Sequence, residues 1–170
     1  FDSAPNQYYW TLTNTSGTTC YITKFQIRAV AITDGSGTVS SSLQKDAPSA
    51  SNDAVAGTTA WTNPGNAETD NVTSASVSPG AGGNSQYLSL TGWDFTIPSN
   101  ATIEGVIAEV KGDVDGASTG TLNAYIIKQG VIETAETRAL TLPATEALVE
   151  VGSGDYLFGK HFTPADVNDA

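Results

Sequence analysis

The sequence predicts an all-β protein, an antiparallel β-sandwich of jelly-roll-like form. Three observations predict it. Apolar residues recur with period two along many short segments, the spacing that turns one face of a strand inward. Those segments are separated by Gly, Pro, Asn and Asp, the residues that turn a chain between strands. Helix signals are scarce, because Thr, Val, Ile, Tyr and Gly dominate the segments themselves.

Taken in order, Tyr8, Trp10 and Leu12 alternate with Tyr9, Thr11 and Thr13, and Asn14 to Gly17 reads as a turn. Phe25, Ile27, Ala29 and Ala31 alternate with Lys24, Gln26, Arg28 and Val30. Two strands joined by a short turn predict a β-hairpin within residues 1–33. Residues 34–59 are rich in Ser, Gly, Ala and Asp, with one strand-like piece from Val39 to Leu43, and read as a linker or long loop. A second organised region covers 60–170. Its strands are Val72 to Val77, Gln86 to Leu90, Trp93 to Ile97, Thr102 to Lys111 and Thr121 to Gln129, with weaker ones at Arg138 to Leu142, Ala147 to Val151 and Tyr156 to Phe158. Leu122, Ala124 and Ile126 alternate against Thr121, Asn123 and Tyr125, which gives that strand one wet face; Ile103, Val106, Ile107 and Val110 are apolar on both faces, which makes theirs central. Thr163-Pro164-Ala165-Asp166 starts one turn of helix, with an N-cap residue, Pro at the first position and an acid in the first turn.

Composition removes several functions. Eighteen acidic residues against seven basic ones give a net charge of −11, so the chain lacks the cationic surface that nucleic acid requires. No apolar run approaches the roughly 20 residues of a membrane helix. A single cysteine, Cys20, makes no internal disulfide, and with a single histidine, His161, it builds no Cys/His zinc site. A Ser-His-Asp or Cys-His enzyme would depend on His161, beside which nothing supports such chemistry; a loop histidine is the expectation.

The remaining constellations have plainer readings. Asp113, Asp115 and Gly116 look like part of a calcium loop, but the twelfth position counted from Asp113 is Ala124 rather than an acid, so a solvated turn is expected. Asp155 would be the one ligand from a distant loop. Glu104 with Glu109, and Glu133 with Glu136, are formal glycosidase pairs; the first two differ by five and fall on opposite faces of a strand. Surface acids are expected in both cases. Among Tyr8, Tyr9, Trp10, Tyr87, Trp93 and Tyr125, Tyr9 and Tyr125 fall on the polar phase of their strands and are the candidate glycan contacts. Cys20 reads as a half-buried small hydrophobe, with an intermolecular disulfide as the alternative in an oxidising compartment. Asn14-Thr15-Ser16, Asn71-Val72-Thr73 and Asn100-Ala101-Thr102 are sequons of the kind a chain rich in Asn and Thr produces by chance.

The second region carries ordered phrases: Trp61-Thr62-Asn63-Pro64-Gly65-Asn66-Ala67, Asp70, Tyr87-Leu88, Trp93-Asp94-Phe95-Thr96-Ile97-Pro98, Ala101-Thr102-Ile103-Glu104-Gly105-Val106, Phe158-Gly159 and Thr163-Pro164-Ala165-Asp166-Val167-Asn168. In that order they resemble a β-sandwich domain of tailed-bacteriophage and prophage structural proteins, found in tail, fibre and other virion-surface chains and in some secreted bacterial proteins. Each phrase also has a physical reading. Asn63-Pro64-Gly65 is a turn, with Gly65 free to take positive φ. Pro98 ends a strand, Gly105 marks a bulge or close contact, and Trp61, Trp93 and Phe95 fill the core together with Ile103 and Phe158.

In the family the Thr-Pro-Ala-Asp-Val-Asn turn leads into a Phe-Gly-Val-type strand and one more strand, whereas here the sequence stops at Ala170. Residues 8–32 look like such a closing hairpin. The chain contains no methionine, and Phe1-Asp2-Ser3 has no signal-peptide character. The expectation is an excerpt of a longer array. The alternatives are strand exchange, with Tyr8, Trp10, Leu12, Phe25 and Ile27 lent to a neighbour, and a hairpin folded back on its own body.

The resemblance and the composition together imply a non-enzymatic structural module of a virion surface or tail assembly, of fibre or decoration type, with host adhesion as a further role. An extracellular filament or adhesin subunit polymerised by strand exchange is the second expectation. A secreted carbohydrate-binding module is the third. No cofactor is expected. The expected partners are copies of the chain or other structural subunits and a cell-surface glycan.

Overall fold

The computed structural model describes residues 8–33, 39–40, 43–116, 119–128, 131–132, 138–155, 157–159 and 161–168; at 8, 9, 30–33, 39, 40, 128, 131 and 132 the backbone alone is described. The strands are β1 (Tyr8–Asn14), β2 (Cys20–Thr33), β3 (Val39–Ser40), β4 (Leu43–Asp46), β5 (Ser49–Asp53), β6 (Ala75–Val77), β7 (Tyr87–Thr91), β8 (Thr102–Val114), β9 (Gly120–Lys128), β10 (Val131–Ile132), β11 (Arg138–Leu142) and β12 (Ala147–Ser153). A 3-10 turn covers Pro64–Ala67 and a short helix, α1, covers Pro164–Asn168.

The strands form two six-stranded sheets, and every pairing between named strands is antiparallel. Sheet 1 runs β10-β9-β1-β7-β5, with β11 also on β9; sheet 2 runs β12-β8-β2-β3, with β4 and β6 also on β2. The fold is an all-β sandwich. Its core is the meeting of the two apolar phases. Trp10 of β1 lies 6.3 Å from Phe25 of β2, ring centre to ring centre, and 4.9 Å edge-on from Phe158. Trp93 closes on Phe25 at 6.0 Å. Burying a side chain of this size contributes about 2–3 kcal/mol, so these four rings together stabilise the contact between the sheets by several such increments.

The first two strands are not a hairpin. β1 pairs with β7 and β9, and β2 pairs with β8 and with β3, β4 and β6, in the opposite sheet. The physical reason lies in the pattern itself. Trp10 and Leu12 on one strand and Phe25 and Ile27 on the next are all buried; two amphipathic strands bury more apolar surface facing each other across the interior than lying side by side. Asn14 shapes the crossing. It is fully buried, donates from Nδ2 to the Thr18 carbonyl at 2.7 Å, and accepts on Oδ1 from Ser16 N and Oγ at 2.9 and 2.8 Å.

β2 changes phase part-way. Cys20 and Ile22 face inward, and so do Phe25, Ile27 and Ala29, which is consistent only because a bulge at Thr23 inserts one residue against β8. Gly112, opposite Ile22, makes room for it: a Cβ there would stand 2.3 Å from the Tyr21 carbonyl oxygen. Gly105 is a close contact as well. Its Cβ would stand 2.2 Å from the carbonyl carbon of Gly154, so the loop after β12 lies directly against β8.

Other differences from the sequence reading have local causes. The segment read as a linker contains β4 and β5, polar strands that pair with β2 and β7 and carry almost no apolar alternation. Trp93, Phe95 and Ile97 keep period-two burial, yet the segment has no strand ladder, because Gly92 and Asp94 take φ of 86° and 40°. Of Val72 to Val77 the strand keeps Ala75–Val77, and Val72 is fully exposed. Asn63, at φ 51°, takes the left-handed conformation expected of Gly65, and Pro64 then opens the 3-10 turn. Leu157 to Gly159 turn rather than extend, with Phe158 at φ 51°; Tyr156 lies outside the described residues. β8 is central, between β2 and β12.

Candidate functional site

Much of the amide content holds irregular backbone in place. Asn52 on β5 clamps Trp61 from both sides: Trp61 N donates to Oδ1 at 2.8 Å and Nδ2 donates to the Trp61 carbonyl at 2.9 Å. Asn168 at the end of α1 does the same to Ile97, at 2.8 and 2.9 Å. Each amide mimics a neighbouring strand: Asn168 for a segment with no ladder, Asn52 for Trp61 between the isolated bridges of Thr59 and Thr62. Asp166 accepts from Thr163 N and Oγ1 at 2.8 Å each, and its own N donates to Thr163 Oγ1 at 3.2 Å, a reciprocal cap on α1. Phe162 and Val167 then close the apolar end of the sandwich over Trp10, Ile27 and Ile126, around a cavity of about 20 Å³. That space is the size of one water and is lined by apolar groups, so it offers no ligand site.

The proposed site residues fall as follows. Trp61, Trp93, Phe95, Ile103 and Phe158 are buried, and Pro98 precedes a turn in which Ala101 N donates to its carbonyl at 3.0 Å. Trp10, Leu12, Phe25 and Ile27 are core residues of this chain's own two sheets. The side chains of Tyr8 and Tyr9, and the whole of Glu133 and Glu136, lie outside the described residues. Glu104 is exposed whereas Glu109 is buried. Asp113 is the last residue but one of β8 and Asp115 lies in the turn after it, where its N donates to the Thr19 carbonyl at 3.0 Å. Burial, and then the charges of Glu146 and Asp115, push the Asp113 carboxyl above its ordinary range. Asp155 accepts from Ser153 Oγ. Among the described residues no group of three His, Cys, Asp or Glu could hold a metal ion. His161 is exposed.

Cys20 is fully buried rather than half-buried, and burial pushes its thiol up to about 11. An intermolecular disulfide would need its sulfur at the surface as a thiolate, and the interior denies both. The Asn14 sequon is closed too, since its amide is buried and fully bonded; Asn71 and Asn100 are exposed.

The two outer faces differ in chemistry. On sheet 2, Gln26, Glu109 and Glu150 stand opposite one another on β2, β8 and β12. Gln26 Nε2 donates to Glu109, and Arg28 Nη2 reaches Glu109 and Glu150 at 2.8 Å each. Lys24 pairs with Asp46 at 3.0 Å, and Lys111 with Asp70 at 2.8 Å and Glu146 at 3.0 Å. Burial raises the Glu109 carboxyl, its hydrogen bond with Gln26 opposes that, and a hydrogen bond to Glu150 raises it further.

On sheet 1, Thr11 stands between Ser89 of β7 and Tyr125 of β9. Tyr125 is half-buried, and its ring meets Tyr87 edge-on at 5.6 Å and 66°, joining β7 to β9 across β1. Burial, then Tyr125 and Asp53, raise the Tyr87 hydroxyl above its ordinary value. Thr11 Oγ1 and Ser89 Oγ are both buried with no hydrogen-bond partner. An unpaired buried hydroxyl costs about 1–3 kcal/mol, and this pair is the one place among the described residues where two such groups face each other on paired strands. Sequence reasoning found Tyr125 by its polar phase. It passed over Thr11 and Ser89, whose only signal was the same phase on strands flanked on both sides.

No known family model, curated protein or solved structure matches the chain.

Proposed function

We propose that the chain is a non-enzymatic structural module of a virion surface or tail assembly, of fibre or decoration type. The observation that carries the reading is how its polar groups are used. Asn14, Asn52, Asn168 and Asp166 all bond backbone and fix loops, which serves rigidity and offers nothing to a substrate. The order of phrases from Trp61 to Asn168 supports the virion setting by resemblance. The acidic surface, at net charge −11, keeps crowded copies soluble. Antibody raised against the chain, applied to particles and to the culture fluid of its source, tests the reading by electron microscopy. Regular labelling on particles is expected; label confined to non-particulate material overturns it.

A filament or adhesin subunit built by strand exchange is the second reading, and the position of β1 favours it. β1 fills a slot between β7 and β9 and is linked to β2, in the opposite sheet, by the Thr15–Thr19 crossing, so a neighbour's β1 can fill the same slot. Native mass spectrometry across a dilution series decides: chains of copies support exchange, and a monomer at every concentration refutes it.

A further inference from the structure

We propose that the outer face of sheet 1 binds a neutral glycan at a site built on Thr11, Ser89, Tyr87 and Tyr125. The site stands whether the module belongs to a virion or to another assembly. Thr11 Oγ1 and Ser89 Oγ are the only polar atoms of their side chains, and neither has a partner. Gln26 and Arg28 also hold an unpartnered buried atom each, but their other atoms are bonded to Glu109 and Glu150, and the unpartnered indole N–H of Trp93 lies in the hydrophobic core. The unmet demand on sheet 1 is therefore whole, and it is doubled. Thr11 and Ser89 are direct partners in the β1–β7 register, a spacing of roughly 5 Å between Cβ atoms that one ligand hydroxyl can bridge.

Two aromatic rings lie beside these hydroxyls. Tyr125 is the other register partner of Thr11, and Tyr87 lies two residues from Ser89 on the same face of β7. Both hydroxyls are buried, so binding requires the side chains that cover them to turn aside. A pyranose satisfies both demands at once, with a C–H face for the ring and hydroxyls for Thr11 and Ser89.

Charge selects the neutral class. Of the described β5, β7, β1, β9 and β11 side chains on this face, Asp53 is the one carboxylate, and none is cationic. With −11 overall, sulfated or sialylated chains and phosphates have no counter-charge here.

The test is amide NMR of the whole labelled chain titrated with maltohexaose, cellohexaose, chitohexaose and mannohexaose, with heparin fragments as the acidic probe. At least one neutral probe is expected to shift the amides of Thr11, Ser89, Tyr87 and Tyr125 by about 10 mM, the weak end of specific binding. Tyr125→Ala is expected to weaken that binding roughly tenfold, and the shape-conserving Thr11→Val and Ser89→Ala by a similar factor. Circular dichroism establishes that each variant is folded, and the two hydroxyl variants back each other if one fails. Absence of shifts with every neutral probe overturns the proposal. So does native affinity in folded Thr11→Val and Ser89→Ala, which would make the hydroxyls a purely structural defect, and so does a response to heparin fragments alone.

Discussion

The outer faces of the two sheets have the same antiparallel geometry and opposite chemistry. On sheet 2 charges meet countercharges: Lys24 with Asp46 and Arg28 with Glu109 on neighbouring strands, Arg28 with Glu150 one strand further, and Lys111 with Asp70 and Glu146 in the adjoining loops. On sheet 1 the corresponding positions hold Thr, Ser, Tyr and Asn, and two hydroxyls are left without partners. The difference teaches that the acidic excess is not spread evenly over the molecule. Cross-strand pairing concentrates charge where cations accompany it and, among the described residues, leaves one broad face nearly neutral, the face proposed above for a neutral ligand.

The comparison rests on the phase of β2, since the bulge at Thr23 decides which of its side chains join the ladder. Gly112→Ala is the sharpest way to break it. The new Cβ collides with the Tyr21 carbonyl, a backbone atom that cannot rotate away. A loss of roughly 3 kcal/mol is expected, at the upper end for overpacking, read as a lower urea midpoint at unchanged slope. Next in size is Arg28→Met. It leaves Glu109 and Glu150 facing each other with Gln26 as the remaining donor, and about 2 kcal/mol of stability is expected to go, below the figure for a wholly buried pair because Arg28 is partly exposed. Stability within 0.5 kcal/mol of the parent, a margin usual for surface changes, would show the ladder to be ornamental.

Glu109 gives the ladder a pH signature of definite sign. Its folded pKa is raised above the ordinary value near 4.5, mainly by burial. The folded state therefore holds the proton more tightly than the unfolded chain. The stability this contributes is fully present below the unfolded value and is lost as pH rises through the folded one. Unfolding free energy should fall over that window, and Glu109→Gln, which keeps the hydrogen-bonding shape without the titration, should flatten it. A rise in stability across the same window, or an unchanged slope in the variant, refutes the assignment. Asp70 works in the opposite sense, since the Lys111 hydrogen bond lowers it, but it sits at the surface and its share is small.

How much of this could be read from the sequence depends on how local the signal was. Period two found β1, β8 and β9 because each buries one or both faces along its length. The same signal misled at Trp93, Phe95 and Ile97, where alternating burial is kept by a segment that Asn168, far away in sequence, holds in place of a strand. Residues 8–32 looked like a hairpin because alternation says which face is buried but not which sheet a strand joins. The bulge at Thr23 was hidden for a similar reason: Cys20 and Ile22 occupy even positions, Phe25 and Ile27 odd ones, and only pairing against Gly112 reconciles them. The face proposed to bind a glycan was half legible. Tyr125 announced itself by phase, whereas the interest of Thr11 and Ser89 is an absence of partners, which exists only in three dimensions.

The smallest expected effect separates the two faces most finely. Thr11→Val removes a hydroxyl that bonds to nothing and keeps the β-branched shape that a central strand favours. Relative to the parent it should be neutral or more stable by about 0.5–1 kcal/mol, since it ends the burial of an unpaired group. On sheet 2 the equivalent simplification, Thr23→Val, deletes bonds from Oγ1 to the Lys111 carbonyl at 3.2 Å and to Glu146 at 2.9 Å, and should lose about 1 kcal/mol. Both are Thr→Val changes that keep the β-branched shape, so hydrogen-bond satisfaction is the main difference between them, beside the bulge in which Thr23 sits. Opposite signs by urea denaturation would show that sheet 2's polar face is built for stability and that sheet 1 carries its unpaired hydroxyls at a loss. Equal losses would mean that Thr11 is bonded in solution, with ordered water in the place assigned to a glycan hydroxyl.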